Sequence, residues 1–103
     1  MSISFTKAIV SRLQREIADL ESSSLNAKNK KEKTSSKIKQ LERDMKLSQS
    51  HSDLSSKMTR INKLSEEIKA ITRMQADLSK QLTAKKAALK QHLPKEQQET
   101  RDN

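Results

Sequence analysis

The side chains most often used in catalysis cluster at one point of the chain, residues 48–53, where serines flank His51 and Asp53. Serine, histidine and aspartate can together supply a nucleophile, a general base and the carboxylate that orients the base. That chemistry also needs an oxyanion hole and a site from which water is excluded. The chain has no glycine from which to build a tight anion-binding loop. We therefore predict no catalytic residue here.

Groups that could hold a metal or a cofactor are few and dispersed. His51 and His92 lie far apart and the chain has no cysteine, so no zinc-binding spacing is present. Glu66 and Glu67 are adjacent, and adjacent residues point in different directions on a helix. We predict no metal site, no cofactor and no enzymatic activity.

The composition predicts that long helices carry these residues. The 103 residues include no glycine, one proline and one aromatic side chain, 34% are charged, and the mean hydropathy is -0.96. With only 31% hydrophobic residues, a globule with a thick core is not expected. The longest apolar run, Ala8 to Val10, is too short for a membrane span or a signal peptide. The chain should bury a thin apolar seam between helices.

Large apolar residues recur at steps of three and four over two segments, which is the spacing of one face of a helix. In the second segment, residues seven apart from Leu47 to Leu89 form a heptad row whose one polar member is Gln75. Gln75 either sets the register of the helices or is simply exposed. The predicted helix–helix seam comprises Val10, Leu13, Ile17, Leu20, Ile38, Leu41, Met45, Leu54, Met58, Ile61, Ile68, Ile71, Leu78 and Leu82.

The first segment contains a polar interval between Leu20 and Ile38. Large apolar residues are missing from the seam positions there, and good helix formers allow the helix to continue through it. The seam positions in this interval carry Ser24, Ala27, Lys31 and Thr34, and we expect looser packing at the triple serine, Ser22 to Ser24.

The two apolar rows are out of phase by two residues, as the spacing of Met45 and Leu47 shows. The slip lies beside the serine cluster, where Ser50 or Ser52 is a good N-cap for a second helix. We therefore predict an all-α fold of two long helices joined by a serine-rich break. The predicted bounds are 1–93 for the hairpin, about 3–47 for helix 1, 48–53 for the break, about 54–93 for helix 2 and 94–103 for a polar tail.

Charge favours an antiparallel arrangement of the two helices. Folding at the break brings residues 28–39 opposite Glu66 and Glu67, and it brings residues 80–90 near the acidic residues of the first helix, which are Glu16, Asp19 and Glu21. We predict an antiparallel helical hairpin or coiled coil; the alternative is a bent continuous helix that pairs in parallel with a second copy. The apolar residues left outside the seam favour an oligomer or a larger partner, and they are Leu25, Leu47, Leu64, Met74 and Leu89.

Positive charge concentrates in two lysine clusters. The chain has 22 basic and 13 acidic residues, a net charge of +9 and a pI of about 10.0. Such an excess attracts nucleic acid or an anionic surface, whereas Phe5 as the one aromatic residue argues against base-specific recognition. The candidate anion-binding residues are Lys28, Lys30, Lys31, Lys33, Lys37, Lys39, Lys80, Lys85, Lys86 and Lys90.

Several segments resemble the amino-terminal coiled-coil region that precedes the TIR domain in a group of bacterial TIR proteins and in related phage-defence proteins. The similar segments are 13–21 (LQREIADLE), 30–32 (KKE) with Ile38 and Leu41, the serine-rich break ending in 54–57 (LSSK), and 71–80 (ITRMQADLSK). The break here lacks the proline often found in that family. This chain contains no TIR domain and no counterpart of its catalytic glutamate, so the resemblance implies self-association or partner docking and no activity.

We therefore expect a non-enzymatic coiled-coil assembly or adaptor module, as a subunit of an antiphage-defence complex in the bacterial cytoplasm. It would act through a protein partner or a second copy at the apolar seam, and membrane binding is not expected. The alternative is a basic helical protein that binds nucleic acid or an anionic surface non-specifically.

Overall fold

The computed structural model describes residues 3–93, which form two α-helices. Helix α1 spans Ile3–Leu47 and helix α2 spans His51–His92. The fold is therefore all-α, a helical hairpin as predicted from the sequence. Neither helix contains a stretch apolar enough to cross a membrane. The predicted polar tail, 94–103, lies outside the described residues.

The break between the helices is shorter than the predicted 48–53. Helix α2 begins at His51, three residues before the predicted start at Leu54. Ser50 causes this early start because its side-chain Oγ accepts a hydrogen bond from the Asp53 N–H at 3.2 Å. Its carbonyl oxygen accepts the first helical bond from the Leu54 N–H at 3.0 Å. Of the two candidate caps, the structure uses Ser50.

Hydrogen bonds of Ser48 and Asp53 close the turn. The Ser48 N–H donates to the Met45 carbonyl at 3.2 Å, and the Ser50 N–H donates to the Ser48 Oγ at 3.3 Å. Hydrogen bonds from the side chains of Lys57 and then Ser48 hold the pKa of Asp53 below its ordinary value, and partial desolvation opposes them. No described residue has a positive φ. The turn therefore forms without glycine.

Contacts divide the hairpin into two units, each built from a stretch of both helices. Of the described residues, unit 1 contains 3–24 and 77–93, and unit 2 contains Leu25–Ala76 with the break. The core of unit 1 is a cluster of four buried residues with four partly buried neighbours. The buried members are Leu13, Ile17, Leu89 and Leu93, and the neighbours are Ile9, Val10, Leu82 and Ala88.

In unit 2 the buried residues include small ones. Ala27 is 2% exposed and Thr34 is 5% exposed, alongside the buried Leu41 and Ile71. Ala27 and Thr34 lie in the polar interval between Leu20 and Ile38, whereas Ser22 and Ser23 of the triple serine are exposed. Small side chains let facing helices approach closely, so Ala27 and Thr34 are among the most enclosed of the described residues.

The phase slip between the apolar rows explains why a break is needed. Two residues correspond to a rotation of about 200° on an α-helix. In one continuous helix, the row containing Leu41 and the row containing Ile71 would face in nearly opposite directions. A single partner helix would then cover only one row. The break at 48–50 allows α2 to turn about its own axis so that both rows share one seam.

Candidate functional site

The candidate functional site is the surface along which the two helices meet, together with the lysines beside it. Thirteen of the fourteen predicted seam residues are at least partly buried. The buried ones are Leu13, Ile17, Leu41, Ile71 and Leu78. The half-buried ones are Val10, Leu20, Ile38, Met45, Leu54, Ile61, Ile68 and Leu82.

Met58 is the predicted seam residue that the structure places elsewhere, since it is 47% exposed. The seam position on this turn of α2 belongs to Lys57, three residues after Leu54. Lys57 is half-buried and its ammonium group pairs with the carboxylate of Asp53. A lysine can place its methylene stem along an apolar surface while its charged end remains with a partner.

Two of the apolar residues predicted to be left over belong to the seam. Leu89 is 7% exposed within the core cluster of unit 1, and Leu64 is half-buried. Both continue the heptad rows of α2, which is why they face α1. The other three predicted surplus residues are exposed: Leu25 at 57%, Leu47 at 85% and Met74 at 45%.

In unit 2 a polar contact crosses the seam between Lys31 and Gln75. The Lys31 Nζ donates a hydrogen bond to the Gln75 Oε1 at 3.4 Å, and both residues are half-buried. Buried Thr34 satisfies its hydroxyl on its own helix by donating to the Lys30 carbonyl at 2.8 Å. Gln75 thus has a partner on α1, which supports the interpretation that it helps to set the register.

In unit 1 an ion pair joins the helices between Lys85 Nζ and Glu16 Oε2. Arg12 Nε also lies 3.5 Å from Glu16 Oε1. The pKa of Glu16 lies below its ordinary value, chiefly because Lys85 donates a hydrogen bond to it. Partial desolvation acts in the opposite direction, and the charges of Lys85 and Arg12 lower the pKa further. This pair is one that antiparallel folding predicts.

The candidate anion-binding lysines divide into two groups. Lys31 and Lys85 are half-buried and engaged across the seam, so they do not belong to an exposed binding surface. The expected pairing of residues 28–39 with Glu66 is replaced by a local pair, since Glu66 Oε1 lies 3.1 Å from Lys69 Nζ. The candidates that remain exposed are Lys28, Lys30, Lys33, Lys37, Lys39, Lys80, Lys86 and Lys90.

The polar residues of the turn have structural partners. Ser50 caps α2, and the Asp53 carboxylate receives Lys57 and Ser48. His51 is exposed at the first position of α2. Among residues 3–93 there is no group of three histidine or acidic side chains placed to hold a metal ion. The contacts of Ser48, Ser50 and Asp53 hold the end of α1 and the start of α2 in place.

Heptad counting finds the seam residues that selection by apolar type misses. Lys57 lies seven residues before Leu64, and Lys85 lies seven residues after Leu78, so both are on the heptad row of Ile71.

The resemblance to coiled coils of bacterial TIR proteins stays a prediction. Comparison of the chain with protein-family models, with curated proteins and with solved structures found no match.

Proposed function

We propose that the chain is a non-enzymatic coiled-coil assembly or adaptor module, whose hairpin docks against a protein partner or a second copy of itself. The observation that carries this proposal is the incomplete enclosure of the seam. None of the described side chains is less than 2% exposed. Two helices enclose a seam on two sides, and further helices would cover its flanks.

The exposed apolar residues support the same proposal. Leu25, Leu47, Met58 and Met74 are between 45% and 85% exposed. Isolated exposed apolar residues are normal on protein surfaces, but here they occur beside a seam in which no described side chain is less than 2% exposed. Burial of such side chains by a partner would contribute stability in proportion to the apolar area removed from water.

The polar contacts across the seam suit a module that presents a fixed surface. The ion pair between Glu16 and Lys85 and the hydrogen bond between Lys31 and Gln75 each form at one register of the two helices. Polar residues at seam positions select register in coiled coils. A hairpin held in one register offers its partner a constant surface.

The proposed setting is an antiphage-defence complex in the bacterial cytoplasm. This part of the proposal is supported by the resemblance of the segments 13–21 and 71–80 to coiled coils of TIR proteins. The absence of cysteine is compatible with a reducing compartment.

Sedimentation velocity over a wide range of protein concentrations tests the proposal. We expect a dimer or larger species at high concentration. Leu25→Gln and Met74→Gln should weaken the assembly without lowering its helicity. Asn29→Gln, an exposed substitution on the same helix as Leu25, should change neither. A fully helical monomer at every concentration would refute self-association and require a different protein as partner.

A further inference from the structure

We propose that α1 carries a binding surface for the phosphate backbone of nucleic acid, distinct from the seam and independent of the assembly role. The surface is formed by exposed lysines that share one side of the helix within residues 28–39, and we name it the lysine face. Its members are Lys30, Lys33 and Lys37; Lys28 and Lys39 are also exposed but lie on the opposite side of α1.

The lysine face has an unbalanced charge. Between residues 28 and 39 there are six lysines and one acidic residue, Glu32. One of the six, Lys31, donates to Gln75 in the seam. Within residues 3–93 the side chains of the other five form no ion pair. Elsewhere in the hairpin, lysines do pair with carboxylates, as Lys69 does with Glu66.

The spacing of the three lysines concentrates their charge on one side of α1. Lys30, Lys33 and Lys37 follow one another at steps of three and four, so they project from one face. Like charges at these steps oppose helix stability. A bound polyanion would remove this repulsion. Lys33 and Lys37 also line a shallow depression with Asn29, Ser36 and Glu32.

The dimensions suit a run of phosphates. Lys30 and Lys37 are seven residues apart, or about 10 Å along the helix. Phosphates of one DNA strand advance about 3.4 Å per base pair along the duplex axis. Three lysines over this length therefore face several phosphates at once.

The surrounding residues favour nucleic acid over a membrane. A helix that lies on a membrane inserts large apolar residues between lipids. The exposed residues between 28 and 39 are lysine, asparagine, glutamate and serine, and the nearest exposed large apolar residue is Leu25. Lysine is a point charge without the fork that reads guanine, and Phe5 is the chain's one aromatic residue for stacking. Binding should therefore be independent of base sequence.

Fluorescence anisotropy of a labelled random-sequence DNA duplex, titrated with the full chain between about 50 and 200 mM KCl, measures this binding. If each of the three lysines contacts one phosphate, the lysine face should contribute roughly -2.7 to the slope of log affinity against log salt. The triple substitution Lys30→Gln, Lys33→Gln and Lys37→Gln should reduce the steepness of that slope by about 2.7. Glutamine and lysine have similar helix propensities, so the fold should be retained.

A matched triple variant separates a localised surface from general attraction. Lys7→Gln, Lys46→Gln and Lys63→Gln remove the same charge from exposed positions outside the lysine face and outside the other candidate anion-binding lysines, and they should leave the slope nearly unchanged. Replacing Lys30, Lys33 and Lys37 by arginine preserves charge and should preserve binding, which controls for folding. Equal losses in the two glutamine triples would overturn the proposal. Absence of duplex binding at low salt would also overturn the proposal, and it would do so even if phosphatidylserine vesicles bound the chain.

Discussion

Truncation of Leu89 to alanine should destabilise the hairpin by about 2.5 kcal/mol. Leu89 is 7% exposed and packs in the cluster with Leu13, Ile17 and Leu93. The substitution removes three carbons, and each buried methylene contributes about 0.8 kcal/mol. Leu→Ala substitutions in cores cost about 2–5 kcal/mol, and the lower part of this range applies because an open seam can relax around the missing atoms.

The melting temperature provides the readout, with the free energy of unfolding from urea titration as a second measure. For a domain near this size, each kcal/mol lowers the midpoint by about 4–8 °C, so Leu89→Ala should melt about 10–20 °C below the parent chain. Circular dichroism at 222 nm follows both transitions. Every variant must be measured at the same protein concentrations, because association stabilises the folded state.

Leu47→Ala is the matched control, since the same side chain is 85% exposed at the end of α1. Its free energy of unfolding should change by less than about 0.5 kcal/mol. Equal destabilisation by the two substitutions, or no effect of Leu89→Ala, would refute the placement of Leu89 in the seam.

Three further predictions concern the turn and the ion pair. Ser50→Ala should cost about 0.5–2 kcal/mol through loss of the cap, whereas Ser52→Ala should be nearly neutral; equal effects in urea titration would contradict the observed cap. Insertion of a few glycines after Gln49 should cost about 0.6 kcal/mol per doubling of loop length, and a melt as early as that of Leu89→Ala would show that the segment does not act as a turn. Because the folded pKa of Glu16 is lowered, its contribution is present above the ordinary glutamate pKa and is lost as pH falls through the folded pKa. Thermal melts of the parent chain and of Glu16→Gln should therefore converge at acidic pH, and a constant difference would contradict this linkage.

The helices themselves are predictable from the sequence. Apolar residues at steps of three and four, without glycine from Ile3 to Leu47, leave few alternatives to a long helix. The start of α2 was predicted three residues late because the whole serine-rich segment 48–53 was assigned to the break, with either Ser50 or Ser52 as the cap. Which hydroxyl meets the free N–H groups depends on backbone geometry within the turn.

The seam was predicted less completely because its positions were chosen by apolar character. Met58 was included and Lys57 omitted, although Lys57 lies on the heptad row. Leu89 was assigned to the surface although it continues the row of Leu82. In each case the heptad position, and not the side-chain type, determines which residue faces the opposite helix.

Ion-pair partners were the least predictable part of the site. Antiparallel folding predicts the pairing of Glu16 with residues 80–90, and the structure contains the Glu16–Lys85 pair. It also predicts that Glu66 pairs with residues 28–39, but Glu66 pairs with Lys69 three residues away on its own helix. A partner on the same helix is available however the two helices pack, so it competes with a partner on the opposite helix. Exposed ion pairs of either kind differ little in energy.

The three-residue turn limits how this chain can change in length during evolution. Because α1 ends and α2 begins at fixed residues of the turn, an insertion in one helix displaces every contact that this helix makes between the insertion and the chain end. Seven residues added between Glu16 and the turn would preserve the heptad phase of α1 but move Glu16 about 10 Å from Lys85. The register of the two helices is preserved when one heptad is added to each of them. Homologous hairpins are therefore expected to differ by pairs of heptads, with other length changes confined to the turn and the chain ends.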